Sequence, residues 1–245
     1  LLDTTCIQLN DSPLQEIWIR RGSLQIPADL CFSNLHSLIV DGCHFLTDAV
    51  LPFYLLPLLP KLESLVVRNC DFVKIIFDVK CLTQDPEMTT MGPLPFALKK
   101  LILERLPNLE NFWNAYPKET NLQLTFPQLN SLELCDLPKL KYDMFKLFTH
   151  LEHLKIGEHE LKTTLRGEFQ GNHLNKVKVL VLSIEYDVFL QRMPNIEKLE
   201  VFNGSFKEIC RFDSPNVDEA GLLSQLKVLC SDSLPENSRK DQTLQ

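Results

Sequence analysis

Apolar residues recur along this chain in a short phrase, L-x-x-L-x-L. It begins at Leu35, Leu62, Leu98, Leu129, Leu151, Val177, Ile196 and Leu226. The second column is leucine in every copy: Leu38, Leu65, Leu101, Leu132, Leu154, Leu180, Leu199 and Leu229. The third reads Val40, Val67, Leu103, Leu134, Ile156, Leu182 and Val201, and breaks at Ser231. Residues two apart in a strand share a face, so each phrase predicts a short strand with its aliphatic columns on one side and variable residues on the other. One such strand cannot bury its apolar side alone. Stacked as parallel neighbours, eight of them bury a continuous core. The phrase intervals run from 19 to 36 residues, so the segments joining the strands must vary in length.

Those connecting segments carry a second theme. "CHFLTDAVL" (43–51), "CDFVKIIFDV" (70–79), "LPNLENFW" (106–113) and "LPKLKYDMF" (137–145) follow successive phrases. Their spaced apolar residues predict short helical or irregular turns packed beneath the sheet. "SPLQEIW" (12–18) has the look of the same tail, so "CIQL" (6–9) before it reads as a degraded or truncated first rung. The expectation is an α/β fold, a leucine-rich-repeat solenoid of horseshoe form. Its parallel β-sheet lies on the concave face and irregular or short helical segments on the convex face. The repeat domain spans 1–234, about eight repeats plus the partial first one, and 235–245 form a polar C-terminal tail.

Composition narrows the setting. The chain has 245 residues, 44% hydrophobic and 23% charged, with a formal net charge of −7. That supports a sizeable core. It offers no basic block of the kind nucleic acid needs, so no nucleic-acid partner is expected. The longest apolar run, "AVLPFYLLPLLP" (49–60), is interrupted by three prolines and is too short to span a bilayer. The chain opens "LLDTTC" without an initiator methionine or a secretory apolar segment, as expected of a fragment or a processed piece. Eight cysteines include no C-x-x-C pair. Cys43 and Cys70 hold the position that Leu106 and Leu137 hold in later copies, which treats the thiol as a small hydrophobe. Reduced, buried cysteines suit a cytosolic, hence cytoplasmic, setting; an extracellular, disulfide-bonded one is the competing reading.

"LIVDGCHFL", "LPKLESLVVRNCDFVKIIFDV", "LKKLILERLPNLENFW" and "FPQLNSLELCDLPKLKY" resemble the C-terminal leucine-rich repeats of plant disease-resistance proteins, in the intracellular coiled-coil, nucleotide-binding, leucine-rich-repeat (NLR) class. The resemblance runs over roughly residues 6–230, and the pairing of "RNCD…IFD" with "LPxLxxFW" is more specific than a bare L-x-x-L-x-L. It implies a sensor module of plant defence. In that family the repeats recognise pathogen effectors or altered host proteins, and restrain a nucleotide-binding switch until recognition. The phosphate-cradling pattern G-x-x-x-x-G-K-[ST] is absent from this chain, so only the sensor half is implied. A leucine-rich-repeat substrate adaptor of a ubiquitin ligase, or another scaffold, is the alternative, and it would need an F-box-like segment ahead of the repeats. Secreted plant repeats differ: their Gly-x-Ile-Pro signature has one lookalike here, "GSLQIP" (22–27).

Residues able to carry chemistry have simpler roles in the repeat. His150, His153 and His159 cluster in "THLEHLKIGEHE" (149–160), but this is a repeat strand, and His153 belongs beside Lys155 on a solvated face rather than to a metal site. No G-x-S-x-G occurs, and Cys135 and Cys230 have no histidine or base in their own rungs. No catalytic residue, cofactor or metal is therefore expected, and the chain reads as a non-enzymatic binding module. The candidate docking surface is the variable side of the sheet. Ile39, Val66 and Ile102 form an apolar strip flanked by a ladder of Asp41, Arg68 and Glu104, and Glu133 and Lys155 continue the face. An apolar strip with a polar border suits a protein partner.

Overall fold

Leucine and β-branched residues dominate each phrase, a composition that suits a pleated surface, and each phrase is a strand. The computed structural model of the chain describes residues 5–9, 32–52, 54–79, 97–114, 126–141, 148–157, 159–160, 174–182, 193–202 and 224–231. The chain divides into two units, Leu1–Leu129 with Asp136–Lys141, and Asn130–Cys135 with Tyr142–Gln245. In the first, the strands are β1 (Cys6–Leu9), β2 (Ser37–Asp41), β3 (Ala49–Leu51), β4 (Ser64–Arg68), β5 (Ile75–Phe77), β6 (Lys100–Glu104) and β7 (Asn111–Trp113). β1, β2, β4 and β6 pair in parallel in that order, with Leu38 opposite Leu65 and Leu65 opposite Leu101. In the second unit, β8 (Ser131–Cys135), β9 (His153–Ile156), β10 (Val179–Leu182), β11 (Lys198–Val201) and β12 (Val228–Ser231) pair in parallel in that order. Leu132, Leu154, Leu180, Leu199 and Leu229 stand in one register there.

Strands β2, β4, β6 and β9 to β12 start in the same way. One carbonyl accepts two successive N–H groups of the next rung: His36 O takes Glu63 N and Ser64 N, and Glu152 O takes Lys178 N and Val179 N. The same arrangement recurs at Thr5, Glu63, Asn130, Lys178 and Glu197. Strands β2, β4, β6 and β8 also end in the same way. Gly42, Asn69, Arg105 and Asp136 follow the strands with φ of 63°, 55°, 52° and 59°, in the left-handed region. Glycine, asparagine and aspartate tolerate that conformation; an arginine there costs about 1 kcal/mol or more.

The leucine column is buried completely or nearly so from Leu38 to Leu199. The last rung differs: Leu226 and Leu229 are only half-buried, and Val228 is exposed. A further buried column precedes the phrases by three residues: Leu59, Phe126, Phe148, Leu174 and Met193. It anchors a tight turn, in which Leu62 N, Leu129 N and Val177 N bond the carbonyls of Leu59, Phe126 and Leu174.

The connecting segments depart from the expected turns and helices in one respect. Among the described residues, one 3₁₀ turn occurs, at Leu56–Leu58, as expected of such a segment. Three others are strands, however: β3, β5 and β7 pair in parallel as a second sheet. Val50, Ile75, Ile76, Phe77, Phe112 and Trp113 are β-branched or aromatic and favour a pleated surface over a helix. Trp113 stacks on Phe126 at 4.9 Å between ring centroids and meets Phe77 at 5.1 Å. "CIQL" is β1, a rung in register with β2. The segments 12–18, 22–27 and 235–245 lie outside the described residues.

Leu132 is wholly buried, whereas Leu229 in the same column is not. Leu132→Asp should therefore cost several kcal/mol, because it buries an unpaired charge. Leu229→Asp should cost much less. Thermal or urea unfolding of the two purified variants checks both the register and the contrast.

Candidate functional site

The sheet turns its variable side chains to one face, and parallel in-register pairing places equivalent positions side by side. In the first unit, Ile39 stands opposite Val66, and Val66 opposite Ile102. All three are half-buried. The strip expected from the sequence is thus assembled. Asp41, Arg68 and Glu104 are likewise register neighbours.

The expected ion ladder forms only in part. Arg68 Nε donates to Asp41 Oδ2 at 2.9 Å, and Asn69 Nδ2 donates to Asp41 Oδ1 at 2.7 Å. Burial works to raise the Asp41 pKa. The hydrogen bonds from Asn69 and Arg68, with the positive charges of Arg68 and Arg105, outweigh it and hold the carboxyl below its ordinary value. Glu104 instead takes Arg105 Nη2 at 3.1 Å, the next residue along its own chain. The reason is the left-handed turn at Arg105, which brings its side chain back beside Glu104. Arg68 is therefore fixed through Nε alone among the described residues. Its side chain is 40% exposed.

The second unit presents a different face. Glu133 and Lys155 are cross-strand neighbours and pair with each other at 3.6 Å. Val181, at the matching outward position of β10, is 5% exposed. Its register neighbours are Lys155 and Glu200. Glu200 in turn takes Lys198 Nζ at 2.5 Å and holds that ammonium above its ordinary pKa. Six of the eight expected docking residues lie together in the first unit; the other two neutralise one another.

A further charged column was not foreseen. It sits at the second position of the phrase and alternates in sign between neighbouring rungs. Glu63 takes Lys99 at 2.8 Å, Glu152 takes Lys178 at 3.4 Å, and Glu197 takes Lys227 at 2.8 Å. The alternation is visible in the sequence once the phrases are aligned. Exposed pairs of this kind stabilise little and penalise a slipped register. Beside the sheet, the left-handed residues and Pro107 and Pro138 line an open groove of about 510 Å³. Among the described residues, no set of three or more His, Cys, Asp and Glu side chains could hold a metal ion. No described helix is long and apolar enough to cross a membrane.

Comparison with known proteins decides what kind of repeat this is. The family model for plant disease resistance protein RPS2-like leucine-rich repeats matches residues 3–160. The chain belongs to this family. No curated protein and no solved structure matches it. The matched span contains β1 to β9, including the whole Ile39–Val66–Ile102 strip; β10 to β12 extend the same register beyond it. These plant disease-resistance repeats are a recognition module associated with defence, and their kind generally binds proteins.

Asn69 combines a left-handed backbone with a hydrogen bond to Asp41. Asn69→Ala should lose both advantages, at about 1–3 kcal/mol, while Asn69→Gly should lose mainly the hydrogen bond. Chemical denaturation of the two variants measures the difference. Asp41 carries a pH signature. A carboxyl whose folded pKa lies below its unfolded value stabilises the protein above the unfolded value, and this is lost as pH falls through the folded one. Tm should fall on acidification from about pH 4 downward, and Asp41→Asn should flatten part of that acid limb. Melting curves across pH 2–7 test it, with Glu63 and Glu197, also held low by lysine partners, adding to the same limb.

Proposed function

We propose that this chain is the protein-sensing part of an intracellular plant immune receptor. It binds a pathogen effector or an altered host protein, and it restrains a nucleotide-binding switch in the same receptor. The supporting observation is the half-buried strip Ile39–Val66–Ile102, edged by the part-exposed Arg68, within the span matched by the disease-resistance repeats. A flat face of this kind offers little enclosure to a small ligand and much area to a protein surface. Covering the strip removes aliphatic area from water at about 25 cal/mol per Å². Arg68, already oriented by Asp41, can take a partner's carboxylate in a two-point contact with little further ordering. On this reading the module acts in the cytoplasm and by binding rather than catalysis.

The test is a Val66→Glu, Arg68→Glu variant of the full receptor, first shown to keep its cooperative melting transition. Recognition of the receptor's effector, read as defence signalling and as direct binding, should fall at least about tenfold, the equivalent of 1.4 kcal/mol. Unchanged recognition by the folded variant would remove the strip from the docking site. Arg68→Gln, which keeps a polar side chain and introduces no new negative charge, separates loss of the contact from repulsion.

A further inference from the structure

Cys43 and Cys70 occupy one structural position in consecutive rungs. Each follows its strand by two residues, and Asp41 at the end of β2 stands opposite Arg68 at the end of β4. The register continues past the strands, because Gly42 N donates to Arg68 O at 3.1 Å. Both cysteines are reduced, and both are completely buried. Their thiols lie along the carbonyl ends of the strands: Cys43 Sγ donates to Leu9 O at 2.8 Å, and Cys70 Sγ to Arg68 O at 3.2 Å. The later rungs place Leu106 and Leu137 here, both buried, so the site does not require sulfur for packing.

We propose that Cys43 and Cys70 are a paired oxidation site, which peroxide converts to a disulfide bridging the rungs of β2 and β4. Neighbouring parallel strands run about 4.8 Å apart, inside the 4.4–6.8 Å range of Cα separations that a disulfide accepts. The hydrogen bond from Cys43 is the largest influence on Cys70 and holds its thiol below the ordinary value, with burial opposing. This makes Cys70 the first to react. Its thiolate sulfur bonds one peroxide oxygen as the O–O bond breaks, giving a sulfenic acid; the departing hydroxide takes up a proton and leaves as water. The Cys43 sulfur then displaces the sulfenic hydroxyl. The S–S bond forms, the S–O bond breaks, and the Cys43 proton leaves with the hydroxide as a second water. Two thiols lose two electrons and one peroxide becomes two waters.

Burial sets the rate. Peroxide is little larger than water, but both sulfurs are sealed, so the reaction waits for the end of the rung to open. Exposed Cys6 and Cys230 react independently of that opening. The bridge closes a loop from 43 to 70 in the unfolded chain and ties two rungs together in the folded one. The oxidised protein should accordingly melt several degrees higher.

The experiment treats the purified folded chain with millimolar hydrogen peroxide and maps its peptides without reduction. The expected result is a cross-linked Cys43–Cys70 peptide 2 Da lighter than the two thiol peptides together. Its formation should speed up in urea too dilute to unfold the protein. The raised Tm should revert on reduction. Cys43→Leu, which copies the later rungs, should fold, give no cross-link and show no reducible rise in Tm; Cys43→Ala serves if the leucine variant does not fold. Cys43 and Cys70 recovered as thiols after prolonged treatment would overturn the proposal. So would sulfinic or sulfonic acid on Cys70 with no cross-link, since that would mean the two sulfurs do not meet.

Discussion

The structure depends on lateral burial between rungs. A strand of four or five residues has too little apolar area to hide by itself, and its backbone groups find partners only on the neighbouring strand. Leu65 is sealed because Leu38 and Leu101 flank it in register, and the same holds for Leu154 between Leu132 and Leu180. Each rung completes its neighbour, so stability is a sum of nearest-neighbour terms within each unit. The half-buried Leu226 and Leu229 show what the column looks like where that support weakens.

Much of this was legible in the sequence because the constraint acts on side-chain type. The leucine columns, the eight phrases, the partial rung at Cys6–Leu9 and the facing of Ile39, Val66 and Ile102 all follow from a period of two and a fixed register. The outer sheet was less legible. "IIF" and "NFW" are too short for periodicity to separate a strand from a turn, and β-branched and aromatic content was the remaining signal. The column Leu59, Phe126, Phe148, Leu174 and Met193 was legible in principle, since each residue lies three before a phrase, but leucine, phenylalanine and methionine alternate there and hide the regularity.

The docking face shows where pattern alone stops short. Asp41, Arg68 and Glu104 line up by register, and a ladder of ion pairs is the natural expectation. Backbone conformation decides otherwise. The left-handed turn at Arg105 offers Glu104 a nearer partner and leaves Arg68 bound on one side only. Positive φ at a non-glycine residue cannot be read from side-chain alternation, and neither can the choice between two arginines. Val181 makes the same point through burial: its position alternates outward, yet it is 5% exposed between Lys155 and Glu200.

The shared carbonyl at the start of each rung has a consequence for how such repeats diversify. The acceptors are His36, Glu63, Asn130, Glu152, Lys178 and Glu197, among others, and their contribution is made by the main chain. A carbonyl accepts two bonds whatever side chain it carries. The residue that fastens one rung to the next is thus released from any demand on its side-chain identity, while the leucine beside it is not. That is why the sign-alternating column can sit there. Structural duty is assigned to atoms that every residue possesses, and the variable atoms are left to record partners, charge and history.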